Sequence, residues 1–345
     1  MTTLLQYSSH FFNQKQNMKN ASSQSVFEIV DKKGEEKKII QIFKANSNLD
    51  DSKDFLKTVS LLNNFHHDNV IGIKEGLVKN DHIFLQFDYI DYDLEQVLRT
   101  KAKGLSNDHI KYIFYQIVLG VSYLHSKGVE HLNLRPKNIL LTNECDVKIG
   151  GFNSACPIFL PKGESMKSVY QDYFTAPETI LNNGENQHCP FKADIWALGC
   201  ILFELLERKN ILNYQRQYLE MLKWVFRLIG KPLRTELGFI KNHSARNWVN
   251  STAQVPKKKP SSYLGERGKS SKADDLLDKL LEVDPFKRPN AAEILNHPFF
   301  EELFDKRDLE FVDGKLSKED FEACFPNISD PRLVKRSLLK VVQNL

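Results

Sequence analysis

The chain has 345 residues, of which 41% are hydrophobic and 27% charged, and its formal net charge is +4. This composition is that of an ordinary globular protein, and so small a net charge does not by itself indicate nucleic-acid binding. The five cysteines are dispersed without any Cys-x-x-Cys pair, which argues against a disulfide framework or a zinc site. The first residues lack a signal-peptide pattern, and the longest apolar segment, from Tyr112 to Leu124, is too short to span a membrane. We therefore expect a cytoplasmic protein with reduced thiols and neither nucleic-acid nor membrane partners.

Secondary structure is expected from residue 25 onward. Residues 1–24 are rich in Asn, Gln, Ser and Lys, a composition that predicts a flexible extension. Beyond them, short alternating runs predict strands, and apolar residues three and four apart predict helices. A credible N-cap stands at Ser106 or Asn107, ahead of the longest of these helices. The predicted strands cover Val26–Val30, Ile39–Phe43 and Ile83–Phe87, and the predicted helices cover Phe55–Phe65 and Asn107–Ser126.

Several short motifs follow in a fixed order. His131-Leu132-Asn133 precedes Asn138, and Gly151-Phe152-Asn153 comes next, followed by a loop that ends at Ala176-Pro177-Glu178. Asp194 and Arg288 then lie in two further motifs, Asp-Ile-Trp-Ala-Leu-Gly and Asp-Pro-Phe-Lys-Arg-Pro. In order and spacing these segments resemble those of the eukaryotic protein kinases, whose signature is His-Arg-Asp-x-x-x-x-Asn followed by Asp-Phe-Gly.

The resemblance covers about residues 20–303 and implies an α+β, bilobal protein-kinase-like fold. It is closest to the branch of cyclin-dependent and mitogen-activated kinases, on the segment Tyr218–Pro232 and the ending His297-Pro298-Phe299-Phe300. It implies structural roles for His131, Phe152 and Asp194, and a buried ion pair between Glu178 and Arg288. The implied division is a flexible extension over 1–24, a small mainly β lobe over 25–87, a hinge over 88–93, a large mainly α lobe over 94–303 and a tail over 304–345.

The side chains that carry the family's chemistry are replaced. The glycine-loop positions fall on Lys19, Ala21 and Gln24, so the close backbone approach to phosphate loses its enabling residue. The strand lysine becomes Gln41, with Lys44 as a rival candidate that alternation turns to the opposite face. The remaining degenerate positions are Thr58 for the helix glutamate, Asn133 for the catalytic base and Gly151 for the metal-binding aspartate. Asn138 is retained and, with the hinge residues Asp88 and Ile90, would be a vestige of the nucleotide site.

From these replacements we expect a pseudokinase, not an enzyme, that acts as a scaffold or structural subunit through protein partners. No cofactor and no metal are expected, and ATP binding is not expected either. A place in a cytoskeletal or ciliary assembly is compatible with this expectation. Two alternatives stay open: a Ser/Thr kinase or other nucleotide-dependent transferase with atypical catalytic residues, and a nucleotide-binding switch. The basic run Lys257-Lys258-Lys259 predicts a solvated loop, with an import signal or a patch for an anionic partner as the alternative.

Overall fold

The structure is a computed structural model. It describes residues 16–20, 24–30, 37–44, 48–100, 105–160, 173–182, 189–209, 218–266, 270–311, 314–319, 321, 330–343 and 345. The strands are β1 (Gln16–Asn20), β2 (Gln24–Val30), β3 (Lys37–Lys44), β4 (Glu75–Lys79), β5 (His82–Asp88), β6 (Tyr92–Asp93), β7 (Val129–Glu130), β8 (Ile139–Leu141), β9 (Val147–Ile149) and β10 (Cys156–Pro157). The helices are α1 (Leu49–Leu62), α2 (Leu94–Arg99), α3 (Asn107–Ser126), α4 (Pro177–Leu181), α5 (Lys192–Glu207), α6 (Tyr218–Ile229), α7 (His243–Ser251), α8 (Ser271–Leu280), α9 (Ala291–Leu295) and α10 (Pro331–Gln343).

The chain divides into two compact units, Met1–Asp91 with Leu316–Leu345, and Tyr92–Lys315. The first is built on a five-stranded antiparallel sheet in the order β1-β2-β3-β5-β4. The second is mainly helical and carries only short strand pairs, β7 with β10 and β6-β8-β9. This is the predicted combination of a sheet-rich and a helical part. Strand β1 lies within the stretch whose composition predicts a flexible extension, and it pairs with β2.

Helix α1 packs on the sheet of the first unit. Its N-cap is Asn48, whose side chain accepts a hydrogen bond from the backbone N–H of Asp51 at 2.8 Å. The helix buries Phe55, which stacks on Phe43 of β3 with ring centroids 4.1 Å apart. The helix therefore begins six residues before the apolar pattern predicts, because a polar cap and two acidic residues supply its first turn.

The C-terminal helix α10 returns to the first unit and contacts α1 and β4. Contact with β4 is close, since a β-carbon at Gly76 would lie 2.8 Å from Val342. An ion pair at 2.8 Å between Lys335 and Asp81 lies at the rim. Residues 316–345, most of the predicted tail, are thus part of the first unit.

Helices α3 and α5 form the core of the second unit. Helix α3 spans the predicted residues and begins with a capping box between Ser106 and His109. It buries Phe114, whose ring lies 5.9 Å from that of Phe300. Helix α5 is buried from Asp194 to Leu206. Among the described residues, no helix is long and apolar enough to cross a membrane.

Candidate catalytic site

Asp194 holds the backbone of the loop that begins at His131. Its carboxylate accepts hydrogen bonds at 2.8 Å from the backbone N–H groups of His131 and Leu132, and it lies 3.0 Å from Nε2 of His125. Burial by itself would raise the pKa of this carboxyl, but the hydrogen bond and charge of His125 and the backbone amides outweigh it. The pKa of Asp194 is therefore lowered. A buried ionised carboxylate thus fixes the turn in which Leu132 adopts a positive φ of 56°.

His131 joins this loop to the segment after β9. Its Nε2 donates to the carbonyl of Gly150 at 2.9 Å, and its Nδ1 accepts from the backbone N–H of Asn133 at 3.2 Å. The ring meets Phe152 edge to face, with centroids 4.8 Å apart. Burial lowers the pKa of His131, and the positive charges of His125 and Arg135 act in the same direction. The imidazole is therefore a neutral structural group.

Asparagine side chains connect the same two segments. The Asn133 amide donates at 3.1 Å both to the carbonyl of Gly151 and to Oδ1 of Asn153. The Asn138 amide donates to the Asn133 carbonyl at 2.7 Å. The backbone carbonyl of Asn138 accepts from the backbone N–H of Gly150 at 2.8 Å. Asn133, Asn138 and Gly151 therefore lie together in the structure, joined by hydrogen bonds of neutral amide groups.

A side chain at position 151 would be strained and would collide with Asn138. Its φ is +81°, which is in the left-handed region. A β-carbon there would lie 2.5 Å from Cγ, 2.6 Å from Nδ2 and 2.7 Å from Oδ1 of Asn138. These nearly equal distances mean that the amide lies face-on over the position. The space into which a side chain at 151 would extend is occupied by Asn138.

The protein-kinase resemblance implies magnesium at this place, and the residues present do not fit it. Magnesium is usually bound through one or two carboxylates together with substrate phosphates. Gly151 offers no ligand atom, and the amide of Asn138 is neutral. Among the described residues, no group of three or more His, Cys, Asp or Glu side chains is placed to hold a metal ion. The side chains at Gly151 and Asn138 therefore do not form a magnesium site.

The other predicted positions lie in the first unit. Gln41 on β3 pairs with Val26 of β2 and Leu85 of β5. Thr58 on α1 donates its hydroxyl to the carbonyl of Asp54 at 2.9 Å, a bond within its own helix.

The predicted nucleotide-loop and hinge residues also lie in the first unit. Lys44 is exposed at the end of β3, and Asp88 ends β5 with Lys74 at 3.1 Å. Ile90 follows β5, while Lys19 and Gln24 lie on β1 and β2. Ala21 lies outside the described residues. The assignment of all these positions to the family's motifs stays a prediction.

The predicted pair of Glu178 and Arg288 is present. Both guanidinium nitrogens Nη1 and Nη2 lie 2.7 Å from the two carboxylate oxygens, and both side chains are almost completely buried. Arg288 also donates to the carbonyl of Lys192 at 2.7 Å and lies over the ring of Trp196. The pair fixes the start of α4 to the segment before α9.

Two contributors to the site were not predicted. His125, in the last turn of α3, contacts Asp194, and the side chain of Asn153 accepts a hydrogen bond from that of Asn133. The proximity of His125 to His131, six residues apart across a short turn, is the one sequence signal that could have suggested the first. Nothing in the sequence indicates the second, because it depends on how two side-chain amides orient.

Two lysines of the basic run form ion pairs with nearby carboxylates. Lys257 and Lys287 each lie 3.0 Å from one carboxylate oxygen of Glu236, and Lys259 lies 3.8 Å from Asp278. A hydrogen bond from the backbone N–H of Leu233, followed by those from the two lysines, lowers the pKa of Glu236 to about 2. Internal ion pairs thus compensate much of the charge that an anionic partner would need.

The family model described as protein kinase domain matches residues 12–300. The chain belongs to the protein kinase family. This confirms the predicted bilobal kinase fold. Mitogen-activated protein kinase 2 of Oryza sativa subsp. japonica is 34% identical over 302 residues, which cover 82% of this chain and 74% of the relative. The mitogen-activated protein kinase homolog NTF6 of Nicotiana tabacum is 31% identical over 323 residues, covering 87% and 84%. Mitogen-activated protein kinase 4 of Arabidopsis thaliana is 34% identical over 282 residues, covering 79% and 72%.

These comparisons contradict the prediction of a pseudokinase that acts as a scaffold and is not an enzyme. The proteins that match this kinase domain over most of its length bear the name of an enzyme, mitogen-activated protein kinase. They also conflict with the prediction that ATP binding is unlikely. The prediction rested on the replaced catalytic side chains alone, whereas phosphoryl transfer depends mostly on positioning and electrostatics, to which the retained frame also contributes.

Proposed function

We propose that the protein is a Ser/Thr protein kinase with atypical catalytic residues, similar to the mitogen-activated protein kinases. It transfers the terminal phosphoryl group of a nucleoside triphosphate to a hydroxyl group of a substrate protein. That substrate is the protein partner we propose. The observation that carries the proposal is the catalytic-loop frame, in which Asp194 holds His131 and Leu132 at 2.8 Å. That frame lies within a chain that aligns with 72–84% of the length of the relatives named above.

The transfer breaks the bond between the γ-phosphorus and its bridging oxygen and forms one between that phosphorus and the substrate hydroxyl oxygen. The products are a nucleoside diphosphate and a phosphoester, and the hydroxyl proton is released. An amide cannot accept that proton at neutral pH, so Asn133 acts by orientation and the proton passes to water or to a phosphate oxygen. Phosphoryl transfer depends mostly on positioning and electrostatics, which a rigid loop still supplies. A positioned base contributes about 10²–10⁴ in rate, so we expect slow turnover.

Arg135 is the cationic side chain we assign to the phosphates. It stands where the protein kinases have the lysine of the catalytic loop, two residues after Asn133, and it is half-buried. Its positive charge acts on the catalytic loop, since it contributes to the lowered pKa of His131. Burial contributes more to that lowering. A guanidinium offers a planar set of donors that suits phosphate oxygens. Asp146 lies in the exposed turn after β8 and Lys148 is half-buried on β9, and neither takes part in the proposed transfer.

The test is transfer of radiolabelled phosphate from ATP by the purified full chain to a generic basic protein and to itself. We expect slow transfer that Arg135→Gln lowers and Arg135→Lys largely keeps. Arg99→Ala, which changes an exposed residue of α2, is the matched control and should leave the rate unchanged. Absence of label above the blank, with wild-type protein of verified fold, would refute the proposal.

A second candidate is a nucleotide-binding switch that does not transfer phosphate. The absence of a titratable side chain at both Asn133 and Gly151 favours it. Nucleotide binding without any transfer in the same assay would select it. The cytoplasmic location, with a cytoskeletal or ciliary assembly as the setting, remains a proposal that localisation of the tagged protein would test.

A further inference from the structure

We propose that this site takes its nucleoside triphosphate without a divalent cation, because Asn138 fills the space over Gly151 that a metal-binding carboxylate would need. The inference rests on the proposed function, since it specifies the form of nucleotide that the same site uses. It concerns Asn133, Asn138 and Gly151, all in the second unit.

The backbone of Asn138 is held on both sides. Its N–H donates to the carbonyl of Arg135 at 2.9 Å, and its backbone carbonyl accepts from the N–H of Gly150 at 2.8 Å. The side-chain amide is held by a hydrogen bond of 2.7 Å from Nδ2 to the backbone carbonyl of Asn133. The residue is only 9% exposed, so turning the amide away from Gly151 would break that bond in a buried place.

The ligands of the site agree with this packing. In the protein kinases, an aspartate at the position of Gly151 and an asparagine at the position of Asn138 hold the cations, which neutralise the charge of the phosphates. Here the carboxylate is absent, and the charge of the phosphates is left to the guanidinium of Arg135. A cation bound only by the Asn138 amide and the phosphates would lack the carboxylate that magnesium usually has. A triphosphate bound at this site would therefore lie beside neutral amides and the positively charged guanidinium of Arg135.

The test compares equilibrium binding of radiolabelled ATP to the full chain in magnesium and in excess EDTA. We expect dissociation constants that agree within about twofold. Arg135→Gln should weaken binding equally in both conditions.

A gain of metal dependence provides the positive control. The double variant Asn138→Ala with Gly151→Asp removes the amide and supplies a carboxylate, and we expect it to bind at least about tenfold more tightly in magnesium than in EDTA. Asn143→Asp, which adds the same charge in the exposed turn before β9, should behave like the wild type. Where the double variant does not fold, as judged by circular dichroism, the wild-type comparison decides.

The outcomes separate the two proposals. Wild-type binding that weakens about tenfold or more in EDTA overturns this inference and leaves the proposed kinase function intact. A folded double variant without metal dependence also overturns it, because the filled space would then not be what excludes the cation. Absence of ATP binding in both conditions overturns the proposed function and this inference with it. Equal binding in both conditions supports the inference, and the transfer assay then decides the function separately.

Discussion

Removing either partner of the buried Glu178–Arg288 pair should lower the free energy of unfolding more than removing a partner of an exposed ion pair. The two side chains are 2% and 0% exposed and make two parallel bonds of 2.7 Å. Glu178→Ala leaves a guanidinium buried with only carbonyl partners, and Arg288→Ala leaves a carboxylate buried without its counter-charge. Removal of one partner of such a pair costs about 3–5 kcal/mol of unfolding free energy. At about 2–4 °C per kcal/mol, the melting temperature should fall by about 6–20 °C.

The assay is urea unfolding of the full chain followed by circular dichroism. Arg99→Ala is the control, because its pair with Glu95 is exposed and lies at helical spacing, where the cost is about 0.3–0.5 kcal/mol. A double variant, Glu178→Leu with Arg288→Met, should cost less than the sum of the single changes, since neither charge is left buried alone. Two single variants with the wild-type urea midpoint would refute the reasoning that this pair is an important structural contact.

Three further changes address the site. Gly151→Ala should lower the unfolding free energy by about 1–2 kcal/mol for its positive φ alone, and more for the collision with Asn138, whereas Gly72→Ala, with open space around it, should not show this loss. Burial lowers the pKa of His131 below the value of about 6.5 in the unfolded chain, so the unfolded state binds the proton first and stability falls as pH drops below about 6.5. Urea unfolding at several pH values should show this loss in the wild type and a smaller one in His131→Phe. Asn133→Asp should not accelerate transfer but should destabilise the loop, because a carboxylate would face the two oxygens to which the amide now donates; a faster labelled-phosphate rate would contradict this.

Regular elements with strong local signals were predictable from sequence. The helix Asn107–Ser126 follows from its apolar spacing and from Ser106, which caps it. The start of α1 was placed too late, because apolar spacing marks only the buried face. Its first turn is polar and is set by Asn48 and two aspartates. The return of α10 to the first unit was not predictable, since it depends on contact between residues far apart in the chain.

The site was predictable as a set of positions but not as a packing arrangement. The resemblance to the protein kinases implied a structural role for Asp194 and an ion pair of Glu178 with Arg288, and the structure has contacts of both kinds. The amide of Asn138 over Gly151 could not be foreseen. Its orientation follows from a hydrogen bond to a carbonyl five residues earlier, and sequence spacing says nothing about which face an amide presents.

The prediction of an inactive protein rested on the side chains that are replaced, above all those at Asn133 and Gly151. It gave no weight to Arg135, which carries a positive charge two residues after Asn133. Without a carboxylate at position 151, the charge of the phosphates is left to this guanidinium. Phosphoryl transfer relies mainly on positioning and charge, so a rigid frame at Asp194 and a cation at Arg135 are what such a site still has to offer. The activity of Arg135→Gln should therefore fall further than that of Asn133→Ala, because charge contributes more here than a side-chain amide.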